Sequence, residues 1–292
     1  VIRLDAATVL LQWSVGGMLF CWYTTRRREV GLGYGWLLRG TYLVLAAASV
    51  VTGVRYGAEP VRDVAAAGVA LACLVALAVS IARRSAGVSG QQVEHDRRSA
   101  RVAAMTGIER AERAGRGTPE RDPGGRGGEF PPLLDLVPVV IGTVGLVAAA
   151  LAAGGNDAVA LVRTLAGAAF LGAVTDAMLL GHWYLVQPGL PRRLLNELVA
   201  ALGWVWPVEV ASMLLPTGMV SVWIGDVDDG WNGTLGWFWA ACAVTTIVLV
   251  VVTRAALRER AYSAVMAATG LLYLAILTAF GTDLVARAVL AG

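Results

Sequence analysis

Two carboxylates stand inside long apolar runs: Asp176 in LGAVTDAMLLGHWYLV and Glu209 in GWVWPVEVASMLL. An ionisable side chain at the centre of a membrane-crossing helix carries a penalty of at least about 2.5–3.5 kcal/mol, so such residues point to chemistry. Asp176 lies a few residues past the midpoint of a run spanning 158–186, and Glu209 lies near the midpoint of a run spanning 198–224. A short loop joins the two runs, so antiparallel packing brings both carboxylates to similar depth. Such a pair can share a proton, bind a cation, or take protons from a reduced cofactor. Pro207, two residues before Glu209, frees a backbone carbonyl beside the carboxylate. The plainer reading is that each carboxyl is protonated and hydrogen-bonded to a neighbouring helix.

A second group of candidates is aromatic. His182, Trp183 and Tyr184 end the first of these runs, and Trp204 and Trp206 open the second. A histidine or tyrosine at headgroup depth can hydrogen-bond a quinone carbonyl while aromatic walls hold the ring. The same residues also suit the aromatic belt at a membrane interface. His182 is the one histidine inside an apolar run, the other being His95. A bis-histidine haem within the chain is therefore not expected. Arg163 and Asp283, near the opposite ends of their runs, are expected to form a structural ion pair, with Arg287 one turn beyond Asp283.

The elements that position these residues follow from composition. Of 292 residues, 57% are hydrophobic and 15% charged, with mean hydropathy +0.65. Soluble domains are less apolar and roughly 25% charged, so the fold class expected is an all-α, polytopic transmembrane bundle. All 24 basic residues are arginine. With no lysine, a retinal-type Schiff base is excluded, and the Ala-, Gly- and Arg-rich composition suits a bacterial source. Cys21, Cys73 and Cys242 lie in separate apolar runs, with no CxxC or CxxCH, so neither a metal centre nor covalent haem is expected. No phosphate-binding glycine loop or HExxH appears either.

A bilayer core takes roughly 20 helical residues. Eight runs qualify: 6–24, 37–54, 64–82, 134–153, 158–186, 198–224, 234–253 and 262–288. The first is followed by three arginines and reads as a retained span rather than a signal peptide. Alternate connections are basic: Arg26, Arg27, Arg28 and Arg39 after the first run, ten arginines between the third and fourth, Arg192 and Arg193 after the fifth, and Arg254, Arg258 and Arg260 after the seventh. The others are acidic or near neutral. Positive-inside logic then puts both termini outside, in the bacterial cytoplasmic membrane.

The chain thus divides into a membrane segment of three spans (1–82), a cytoplasmic linker (83–133) and a membrane segment of five spans (134–292). The linker combines an amphipathic stretch with a Gly/Pro-rich one and is a solvated tether or a docking element for other subunits. GGMLFCWYTTRRR and DAMLLGHWYLVQPGLPRR share a Met-Leu pair, a Trp-Tyr pair and arginines, so the eight spans read as two four-helix halves. Shared interfacial physics explains the same match.

In plan the chain resembles the quinol-interacting membrane subunits of the polysulfide-reductase and nitrite-reductase type, with no motif matched residue by residue. The expected function is a membrane subunit of a respiratory or other redox complex that handles quinone, protons or both, without redox metals of its own. A secondary transporter using midplane carboxylates and a non-catalytic assembly subunit are the alternatives. Lipid is the certain partner, other subunits are expected ones, and nothing suggests nucleic acid.

Overall fold

The computed structural model describes residues 5–89, 128–187, 190–214, 218–259 and 261–291. Among them the chain is all-α, with eight helices long and apolar enough to cross a membrane. They are α1 (Ala6–Thr25), α2 (Leu32–Tyr56), α3 (Pro60–Ala82), α4 (Leu136–Ala152), α5 (Asp157–Val186), α6 (Arg192–Leu214), α8 (Thr234–Ala256) and α9 (Tyr262–Ala291). Between α6 and α8 stands a short helix, α7 (Met219–Trp223).

Local chemistry starts these helices. Asp5 accepts from the Thr8 N–H (2.8 Å) ahead of α1, and Asn156 accepts from Val159 (3.1 Å) ahead of α5. At α3, Glu59 caps the helix, Pro60 occupies its first turn, and Asp63 reaches back to the Glu59 N–H (3.1 Å). Their outward faces are apolar: Val44, Val51, Leu71, Val140, Val248 and Leu277 are each more than half exposed. Gln12, Arg39, Asp135, Arg163, Asp176, Glu209, Asp283 and Arg287 are instead buried. Apolar outside and polar within is the arrangement that lipid, not water, rewards, so the chain is a multi-pass membrane protein.

Helix α1 packs on α2, α4 and α5; α2 packs on α3, and α3 on α4. Helix α5 packs on α4, α6 and α9, while α8 bridges α6 and α9. The α1–α5 crossing is close because Gly16 faces the Ala168 carbonyl and Gly172, where any side chain would overlap backbone. One end of the bundle gathers the arginine-rich connections. There Arg27 pairs with Glu197 (2.8 Å), Arg28 with Glu129 (2.5 Å) and Arg193 with Glu29, and Arg192 donates to the Ala261 carbonyl (2.9 Å). Across the opposite end, Arg62 joins Asp5 and Asp63.

Three boundaries differ from the sequence reading. Helix α2 begins at Leu32, so Arg39 is buried inside it rather than placed in the first basic loop. Its carboxylate partner, Asp135, is 96 residues away in the chain, which no local pattern reveals. Helix α6 runs from Arg192 to Leu214, earlier at both ends than the expected 198–224. Pro216 follows two residues later, and a proline disfavours helix in the residue before it. The amphipathic stretch expected in the linker lies outside the described residues.

Candidate functional site

The earlier frame of α6 moves Glu209 away from Asp176. Asp176 stands ten residues from the end of α5 at the α5–α6 connection, and Glu209 stands seventeen residues from the same end of α6. At 1.5 Å per residue that is about 10 Å of difference in depth. The two carboxyls belong to different polar clusters rather than to one pair.

The first cluster surrounds Asp176, nearer the arginine-rich end. The Tyr42 hydroxyl of α2 donates to Asp176 Oδ1. Helix α1 makes room for this bond across its surface: the Tyr42 ring occupies the space that a side chain at Gly17 would need. Ser14 fixes the Tyr42 backbone by donating to its carbonyl (2.8 Å). Asp176 Oδ2 and the hydroxyl of Tyr34 are both buried without a hydrogen-bond partner. Thr24, whose own hydroxyl donates to the Phe20 and Cys21 carbonyls (3.0 and 2.9 Å), stands within hydrogen-bonding reach of the Tyr34 phenol as an acceptor.

The second cluster lies towards the other end, between α1, α5, α6 and α9. Arg287 donates through Nε (2.8 Å) and Nη2 (2.7 Å) to Asp283 Oδ1, and Arg163 Nε donates to the Ser212 carbonyl (2.7 Å). The ion pair of Asp283 is thus made with Arg287 on its own helix, where i,i+4 spacing presents the two side chains to each other. It is not made with Arg163, as expected from sequence. Gln12 Nε2 donates to the Thr164 carbonyl (2.5 Å). Gly167 has no side chain because Arg287 Nη2, Asp283 Oδ1 and Gln12 Nε2 crowd the place it would fill. Glu209 completes the set: its carboxyl comes within hydrogen-bonding reach of the Asp283 carboxyl and interacts electrostatically with Arg287 and Arg163.

This second cluster is rich in unmet hydrogen-bonding capacity. Both oxygens of Glu209, Asp283 Oδ2, Arg287 Nη1, Gln12 Oε1 and Thr164 Oγ1 are buried without a hydrogen-bond partner. An unpaired buried polar atom costs about 1–3 kcal/mol, and more when charged, so six in one place make this cluster the stronger candidate site among the described residues.

Apolar packing separates the clusters. Phe170, Leu171, Ala173 and Val174 are buried on α5 between them, and Trp13 packs edge-on against Phe280 with ring centroids 4.6 Å apart. Trp13 donates its indole N–H to Thr175 Oγ1 (2.9 Å). An indole donates but does not accept, so it cannot pass a proton on.

The aromatic candidates do not converge. His182 is exposed on α5, with Nδ1 3.2 Å from the Tyr273 hydroxyl of α9. Trp183 faces the Tyr34 ring and donates to Gln187 (3.1 Å), while Tyr184 is buried with its hydroxyl on the Pro191 carbonyl (2.7 Å). Trp204 is 77% exposed, and Trp206 donates to the Ala243 carbonyl of α8 (3.0 Å).

Sequence reasoning missed Tyr34, Tyr42, Gln12 and Thr164. A neutral polar residue in an apolar run carries little signal, and each matters only through a partner on another helix. The chain matches no protein-family model, no curated protein and no solved structure.

Proposed function

We propose that the protein is a proton transporter whose two buried carboxyl clusters exchange protons from opposite ends of the bundle, with the apolar layer between them as the barrier that a change of conformation must relieve in each cycle. The observation that carries this is the Glu209–Asp283–Arg287 cluster, where six buried polar atoms of α1, α5, α6 and α9 have no hydrogen-bond partner. A carboxyl whose hydrogen-bonding neighbour is another carboxyl, as Asp283 is for Glu209, can take up and release a proton without breaking a structural bond. Arginines beside it balance its charge when the proton leaves, which limits the penalty of an ionised group in a low-dielectric interior. Asp176, held by Tyr42, serves as the station nearer the arginine-rich end.

The redox-subunit setting expected from sequence would use the same carboxyls to serve a quinone. Its pocket was to be built from His182, Trp183, Tyr184, Trp204 and Trp206, and these side chains face different surroundings. We therefore favour transport. In the bacterial cytoplasmic membrane, the arginine-rich end would face the cytoplasm and both termini the outside, with Asp176 on the cytoplasmic side. The packing of α1 to α4 in sequence, and of α5, α6, α8 and α9 in turn, suits the reading of two four-helix halves.

Reconstitution tests this. In vesicles carrying an imposed pH difference, with valinomycin and potassium clamping the potential, an internal pH dye should report faster proton flux than in protein-free vesicles. E209Q and D176N should each remove most of the excess. Wild-type flux equal to that of protein-free vesicles would overturn the proposal.

A further inference from the structure

Resting on that reading, we infer a proton entry route from the arginine-rich end to Asp176, in which Glu29 is the collecting group and Tyr34 the link. Glu29 stands in the loop between α1 and α2. Its Oε1 is held by Arg193, while Oε2 is buried without a hydrogen-bond partner. The carboxylate therefore touches the surface through one oxygen and turns the other inward.

A small polar network connects Glu29 to Tyr34. Gln187 donates to the Glu29 carbonyl (3.3 Å) and accepts from the Gly31 N–H (2.9 Å) and the Trp183 indole (3.1 Å). The Trp183 ring lies against that of Tyr34, centroids 5.9 Å apart. These contacts pin the α1–α2 loop to the end of α5, and so fix Glu29 near the end of the bundle at which Tyr34 is buried. Tyr184, on the wall of the same region, interacts electrostatically with both Glu29 and Tyr34.

In depth Tyr34 stands between that loop and the carboxyl. It lies in the first turn of α2, and Tyr42, which holds Asp176, is eight residues further along the same helix, about 12 Å deeper. Both tyrosines lie on the same helix eight residues apart, and Tyr42 brings Asp176 to the deeper end of the interval between them. Tyr34 and Asp176 interact electrostatically, and both Tyr34 Oη and Asp176 Oδ2 are buried with no hydrogen-bond partner. A phenol both donates and accepts, which a link in a proton file must do. Water between Glu29, Tyr34 and Asp176 would complete the file.

Three of the ten buried unpartnered side-chain atoms among the described residues fall on this line, and each belongs to a group able to exchange a proton. The arrangement also explains why Tyr34 is a tyrosine at all. The one neighbour within reach of its hydroxyl, Thr24, is already hydrogen-bonded to its own helix, so phenylalanine would pack nearly as well and spare a buried polar group.

The test uses full-length protein in vesicles, with infrared difference spectra following the carboxyl bands after a switch to heavy water. The bands of Asp176 and Glu209 are assigned by their loss in D176N and E209Q. Y34F should slow exchange at Asp176 by at least tenfold while leaving the Glu209 band at its wild-type rate, and E29Q should do the same more weakly. Y34F removes at most the weak Tyr34–Thr24 contact, so its folded yield should stay close to the wild type. Unchanged Asp176 exchange in both variants overturns the route, whatever the flux assay shows. Equal slowing at Asp176 and Glu209 also overturns it, since that would be a general tightening of the bundle. Absence of wild-type proton flux would instead count against the proton-transfer reading itself.

Discussion

Among the described residues two arginine–aspartate pairs are fully buried, and they are built to opposite specifications. In the first, Arg39 donates through Nε and Nη2 to the two oxygens of Asp135, each at 2.7 Å. Its Nη1 reaches Ser80 (3.2 Å), Thr25 donates to Asp135 (3.2 Å), and the Phe130 ring covers the guanidinium at 4.0 Å. Every side-chain group in this clamp has a partner. In the second, Arg287 and Asp283 make their own contacts, yet each keeps an unpartnered atom and stands among further unpartnered groups of Glu209, Gln12 and Thr164. Burial and charge are alike; satisfaction is not. The first is a fastener between α2 and the start of α4. The second retains free hydrogen-bonding capacity, which is what a proton-exchanging site requires.

The largest expected effect breaks the fastener. D135A leaves Arg39 charged, buried and alone, and should destabilise the protein by about 3–5 kcal/mol in detergent unfolding experiments. The double variant R39M–D135L should recover most of that loss, because apolar groups of similar size can replace a buried pair. Wild-type unfolding of D135A would remove the contrast with the second pair. Next comes G17A, whose methyl group meets the Tyr42 ring. Overpacking of this kind should cost about 1–3 kcal/mol and reduce proton flux, since Tyr42 must shift off Asp176. A thermal melt together with the flux assay reads both.

E209Q sharpens the comparison from the other side. Glutamine keeps the size of the side chain and can still donate to Asp283, so stability should stay within about 1 kcal/mol of wild type while flux falls to near the protein-free level. Smaller again is H182A. The exposed imidazole contributes one contact, to Tyr273, and its removal should change stability by no more than about 0.5 kcal/mol and leave flux unaltered. A strong loss of activity in H182A would favour the quinone reading instead.

The smallest effect concerns Asp229, in the loop before α8. Slight desolvation pushes its carboxyl up, but hydrogen bonds from the backbone N–H groups of Gly233, Trp231 and Leu235 more than offset this and hold it below the usual carboxylate range. A lowered folded value means that the loop gains stability above about pH 4, and loses it as pH falls through the folded value. Fluorescence of the nearby tryptophans should report a loosening in acid that D229N already shows at neutral pH.

Much of the bundle was legible in the chain. Length and hydropathy gave eight spans because lipid imposes both, and the arginine clusters marked connections that do gather at one end. The rule that charge inside an apolar run signals a site pointed to Asp176, Glu209, Arg163 and Asp283. It did not reveal their partners. Tyr42 meets Asp176 across 134 residues, and Gln12 meets Thr164 across 152. Depth was misjudged for Glu209 because apolar residues continue past Leu214, although Pro216 was a usable stop signal. The aromatic group looked like a pocket because adjacent residues in a helix seem close in sequence, while a rotation of about 100° per residue sends His182, Trp183 and Tyr184 in different directions.

The most direct test sets the two buried pairs against each other in one assay. R39M–D135L and E209Q would be reconstituted at equal folded protein, and proton flux measured under the same imposed pH difference. The expected result is near-wild-type flux in R39M–D135L and near-background flux in E209Q. Loss of flux in the first with retention in the second would contradict the assignment of fastener and proton site.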